Sequence, residues 1–135
     1  CEATARDFSK PAAQRLLFPG IEASDSPTGD AGQDSAILAT LQGLHQRLLG
    51  DRLEIDDAEL LAAYQLLVDA QAAGLAELAS GAASATLARP CAADLDLSTA
   101  TATPGGIISD PQYIVRAWQT VLAYLLMDYQ FVFTP

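Results

Sequence analysis

His45 is the only histidine among the 135 residues, so no second imidazole can share a metal or a proton with it. Metal sites draw on several ligands at fixed spacing, and covalent haem attachment needs a CxxCH sequence that the chain lacks. His45 also falls beside Leu41, Leu44 and Leu48 at helical spacing, which reads as a structural histidine; a ligand or general base is the functional alternative. The carboxylates show no paired arrangement for acid–base work. Asp56, Asp57 and Glu59 match a helix start, and Asp69 and Glu77 match solvated helix positions. Asp128 interrupts the most apolar segment and is expected to pair with Arg116 or another base. Asp25, Ser26, Thr28, Asp30 and Asp34 are spaced somewhat like a calcium loop. They lack its carboxylate count and glycine placement, which leaves a solvated loop. Nucleophile motifs, phosphate-cradling glycine loops and dinucleotide fingerprints are absent. The chain is therefore expected to be no enzyme, with no catalytic residue, metal or cofactor.

Cys1 and Cys91 are the only two cysteines, and their separation makes no zinc site. The segment Cys1-Glu2-Ala3-Thr4 resembles the mature start of a bacterial lipoprotein, in which the leading cysteine is acylated after signal-peptide cleavage. That resemblance implies lipidation of Cys1 and a domain held to a membrane through the lipid, at the periplasmic or outer surface of the bacterial cell envelope. A Cys1–Cys91 disulfide is the competing use of the same thiol. If Cys1 is acylated, Cys91 reads as a small buried hydrophobe.

Charge excludes one class of partner. With 17 acidic and 7 basic residues the net charge is −10, and the basic residues are scattered. Nucleic acid binding needs clustered Lys and Arg, so no nucleic acid partner is expected, and an anionic membrane surface is disfavoured for the same reason. The longest apolar block, Val121 to Met127, is too short to span a bilayer.

The elements that must position these residues are helical. A single domain over 1–135 is expected, with residues 1–8 as a tether, 19–33 as a linker and 80–109 as a long loop. The first helix is expected to start near Ser9, with Pro11 in its first turn, and to end before Pro19-Gly20. Ile37, Leu41, Leu44 and Leu48 predict a helix over 34–49, capped by Asp34 or Ser35 and ended by Gly50. A second runs from about Asp57 to Ala79, with Leu60, Leu61, Tyr64, Leu67, Val68, Leu75 and Leu78 on its apolar face; Gly74 is expected to kink or interrupt it. The short connection between the two implies a helical hairpin. In the 80–109 loop, alternation around Asp94–Leu97 allows a short extended piece but no regular sheet. The last helix is expected over 110–131, capped by Ser109 or Asp110 with Pro111 at its first position. It is apolar nearly all round, as a helix central to a bundle or facing a partner would be. The fold class is thus all-α, an irregular bundle of three to four helices with a long loop before the last.

Aromatic residues concentrate in the final segment: Tyr113, Trp118, Tyr124, Tyr129, Phe131 and Phe133. Tyr and Trp dominate interface hot spots, which makes these six the candidate partner-binding residues; a core helix with polar-tipped aromatics at its edge is the plainer reading. The segments 44–50 and 56–60, with 115–118 and 125–133, resemble helical modules of exported planctomycete- and myxobacterial-type proteins. There a "RLLG" helix, an acidic helix start and a closing hydrophobic helix recur. The resemblance implies an exported helical domain and carries over no catalytic residue. Together these readings predict an accessory or structural subunit of an envelope complex, whose partners are other envelope proteins. A bundle binding a small ligand or redox cofactor through His45 and nearby aromatics is the alternative.

Overall fold

A computed structural model describes residues 2–88, 95–96, 101–102 and 107–127, and the fold is all-α. Four α-helices are described: α1 (Glu2–Ser9), α2 (Ser35–Leu49), α3 (Ala58–Ser80) and α4 (Ile114–Leu126), with a 3₁₀ turn at Ala12–Gln14. None of them is long and apolar enough to cross a membrane.

The first helix lies before Pro11, not after it. Proline keeps the preceding residue out of the helical region, so a helix reaching Ser9 stops there. The chain then turns back under α1, because the Asp7 carboxylate accepts hydrogen bonds from the backbone N–H groups of Leu16, Leu17 and Phe18, each at 2.9 Å. Residues 2–8 are therefore no tether. Thr4, Ala5, Asp7 and Phe8 are all buried. Phe8 stacks on Phe18 with ring centroids 4.4 Å apart, and Phe18 tilts against Trp118 at 5.2 Å. This aromatic column fastens α1 to α4.

Helices α2 and α3 follow their sequence signals closely. Gly50 closes α2 in the left-handed conformation, φ 79°, a backbone state open to glycine without steric cost. Asp57 caps α3 by accepting from the Glu59 N–H at 2.9 Å. Helix α3 passes through Gly74 without interruption, in place of the expected kink. The reason for the glycine is a neighbour: the Tyr113 ring lies against the backbone there, and a Cβ at position 74 would fall inside it.

Helix α4 is the centre of the bundle. It packs most extensively on α3 and also meets α1 and α2. Ile114, Ala117, Trp118, Val121 and Leu125 are fully buried along it. It begins four residues later than the expected start at 110. Asp110 still serves its N-terminus, reaching forward to accept from the N–H groups of Val115 and Arg116 at 3.1 Å each. Tyr113 takes the left-handed conformation at φ 58° to allow this, and Pro111 sits in the preceding turn instead of the first helical position.

The ends of the 80–109 loop are tied together. Leu87 N–H donates to the Ile108 carbonyl at 2.9 Å and Asp110 N–H to the Ala85 carbonyl at 2.8 Å, around an antiparallel bridge between Thr86 and Ser109. Between them, Leu95–Asp96 (β1) pairs antiparallel with Thr101–Ala102 (β2), a two-residue ladder. The expected extended piece is thus present as half of a minimal hairpin.

Candidate functional site

Several buried or half-buried polar side chains hold loops in place. Asp34 is buried and does not cap α2 with its side chain. One of its oxygens instead accepts from Thr28 N–H at 2.7 Å, from Thr28 Oγ1 at 3.1 Å and from the Tyr64 hydroxyl at 2.5 Å. The expected solvated loop is therefore pinned to α3. Asp30 accepts from Gly32 N–H and the Gln33 amide, and Asp25 accepts from Glu22 N–H, so these carboxylates shape turns. Further along α3, Gln71 Nε2 donates to Ser26 Oγ at 2.7 Å and to the Gln112 carbonyl at 3.1 Å. That places residues 24–28 and 107–112 side by side over α3.

The Tyr64–Asp34 pair has a measurable signature. Burial, then the hydrogen bond to Asp34 and its negative charge, push the Tyr64 phenol up from 10.0 to about 12. Ionisation is thus harder in the fold than in the unfolded chain. The stability contributed by neutral Tyr64 is whole below pH 10 and is lost as pH rises through about 12. The loss is on the order of 2 kcal/mol. Near-ultraviolet phenolate absorbance of the wild type minus that of Tyr64→Phe should rise only near the upper end of this window; a rise centred on pH 10 would disprove the buried pair.

His45 is fully buried in α2 beside Leu41 and Leu44. It lines none of the four surface hollows described, which border residues 21–37, 23–24 with 107–112, 31–61 and 19–47. Arg116 is held by Asp110: its Nε donates to Oδ2 at 3.1 Å, its Nη2 to the Asp110 carbonyl, and its Nη1 to the Ser84 carbonyl at 2.9 Å. Asp110 is thus an ion-pair partner of Arg116, and Asp128, the partner expected for Arg116 or another base, lies outside the described residues. The guanidinium also lies over the Tyr113 ring, 4.1 Å from its centroid.

The six candidate contact aromatics separate. Trp118 is 0% exposed and belongs to the core, so it supports α4 and cannot face a partner. Tyr113 is half-buried between Gly74 and Arg116. Tyr124 is 41% exposed. Tyr129, Phe131 and Phe133 lie outside the described residues, as do Cys1 and Cys91. The end of α4 nonetheless presents an apolar surface, because Leu126 (41%) and Met127 (78%) are exposed beside Tyr124.

A second apolar surface has no counterpart in the sequence-based expectations. Ile55 (56% exposed) and Leu61 (38%) border a hollow of about 320 Å³ with Ala31, Gly32, Ser35, Leu38 and Asp56. The signal was present: Leu61 follows Leu60 directly, and one residue turns a helix by about 100°. Leu61 therefore cannot share the inward line of Leu60, Tyr64 and Leu67.

No family model matches this chain, and neither a curated protein nor a solved structure does.

Proposed function

We propose that the chain is a non-enzymatic accessory or structural subunit of a cell-envelope protein complex, engaging its partner through the end of α4. The carrying observation is the exposed apolar cluster Tyr124, Leu126 and Met127 at the end of a helix whose other large apolar residues are buried. Exposed clusters of this kind are typical of contact surfaces. The commitment of Asp7, Asp34, Asp110 and Arg116 to backbone groups, and the deep burial of His45, support a non-catalytic role. The envelope setting rests on the resemblance of the 44–50, 56–60, 115–118 and 125–133 segments to helical modules of exported proteins. A lipid anchor on Cys1 belongs to the same proposal.

A photo-crosslinking residue at Met127, expressed in the native host, is expected to yield one discrete adduct with an envelope protein. The same probe at exposed Glu77 should yield none. No adduct at 127, or the same adduct from both positions, would overturn the assignment of the contact face. Intact mass of the protein from the same cells tests the anchor, through the excess of a diacylglycerol on Cys1.

A further inference from the structure

We infer that the hollow between α2 and the start of α3 is a second docking surface, which takes a basic amphipathic helix of a partner protein. The wall is apolar, formed by Ala31, Leu38, Ile55 and Leu61, and two of these side chains are substantially exposed. A solitary exposed apolar residue needs no explanation, but two lining one concave surface do.

Charge identifies the occupant. Residues 51–59 carry five carboxylates, Asp51, Glu54, Asp56, Asp57 and Glu59, against the single cation Arg52. Asp57 is used as the α3 cap, while Asp51, Glu54, Asp56 and Glu59 make no ion pair among the described residues. Asp56 lines the hollow itself. A helix start favours one or two acidic residues through its dipole, which leaves Asp51 and Glu54 without a local purpose. An apolar concavity beside uncompensated negative charge fits a helix with an apolar stripe flanked by Lys or Arg. A chain of net charge −10 would also speed the approach of such a partner.

The surface is held ready for binding. Gln42 Nε2 donates to the Leu53 carbonyl at 2.9 Å, and Asp57 N–H donates to the Glu54 carbonyl at 3.1 Å, which holds the connection carrying Ile55 against α2. Little ordering is then needed when the groove is filled. This surface is separate from the α4 end, and its test is independent of that reading.

The probe is a fluorescent Leu/Lys amphipathic helix of about 18 residues, titrated with the intact protein and read by anisotropy; a Leu/Glu helix of the same pattern is the control. The Leu/Lys helix should bind, and the Leu/Glu helix should not. Raising salt from about 50 to about 300 mM should weaken binding about tenfold. The double variant Ile55→Ala/Leu61→Ala removes apolar surface without changing charge, and it should weaken binding about tenfold. Leu75→Ala, at an exposed position of the same helix, should leave it unchanged. All three positions are exposed, and circular dichroism of each variant checks that it stays folded. Equal binding to the double variant and the wild type would reduce the interaction to general electrostatics and overturn the proposal. A protein dimer dissolved by the double variant, with no peptide bound, would reassign the surface to a second copy of the chain.

Discussion

Replacing Asp7 by alanine is expected to cost roughly 3–5 kcal/mol, a large share of the stability of a domain this size. The side chain is buried, and its two oxygens accept three backbone N–H groups, from Leu16, Leu17 and Phe18. Hydrogen bonds to a charged acceptor are the strong ones, and a donor stranded in a buried place costs its full desolvation. Alanine removes the acceptor for all three at once, and they have no other acceptor among the described residues. The damage should spread, because Phe18 stacks between Phe8 and Trp118. Urea unfolding measures the effect as a shift of midpoint at constant slope. Near-ultraviolet circular dichroism of Trp118, the only tryptophan, reports the aromatic column separately. Asp7→Asn keeps one carbonyl oxygen for Leu17 and Phe18 but turns an amide toward the Leu16 N–H, so it should fall between wild type and alanine. A loss below about 1 kcal/mol for alanine would show that water replaces the carboxylate and that the turn does not depend on it.

Asp7 also shows why part of this fold was hidden in the sequence. Helices α2 and α3 were legible because their signals are local: apolar spacing, Asp57 before the first turn, Gly50 after the last. Pro11 is ambiguous locally, since proline suits the first turn of a helix and equally the residue after one. What selects the second option is a carboxylate reaching nine to eleven residues ahead, a contact without periodic trace. The start of α4 differs from the one its sequence signals for a related reason, as Asp110 caps it from five and six residues away across Pro111. Of the candidate site, the apolar end of α4 was readable, but Trp118 and Tyr124 were not separable. On a helix apolar nearly all round, only the packing of α1, α2 and α3 decides which side faces inward. Asp34 makes the same point, because a residue placed to cap α2 is turned by Tyr64, thirty positions later, into a clasp for the 19–33 segment.

Gly74→Ala is expected to destabilise the protein by roughly 2–4 kcal/mol, against the ordinary sign of that change. In an exposed helix interior, alanine in place of glycine stabilises by about 1 kcal/mol. At position 74 the added methyl would occupy the space of the Tyr113 ring. The ring cannot simply swing away. Tyr113 is the only described non-glycine residue with positive φ, it precedes α4 directly, and the Arg116 guanidinium lies over its ring while paired with Asp110. Moving it disturbs the α4 start, the Asp110 cap and the seam between α3 and α4 together. The double variant Gly74→Ala/Tyr113→Gly makes this decisive. Glycine at 113 tolerates φ 58° at no steric cost and removes the ring, so the alanine at 74 should then regain its usual stabilising sign. The coupling between the two sites should exceed about 1 kcal/mol. Additive effects would mean that Tyr113 and Gly74 do not share one space, and the close approach of α3 to the start of α4 would lose its explanation.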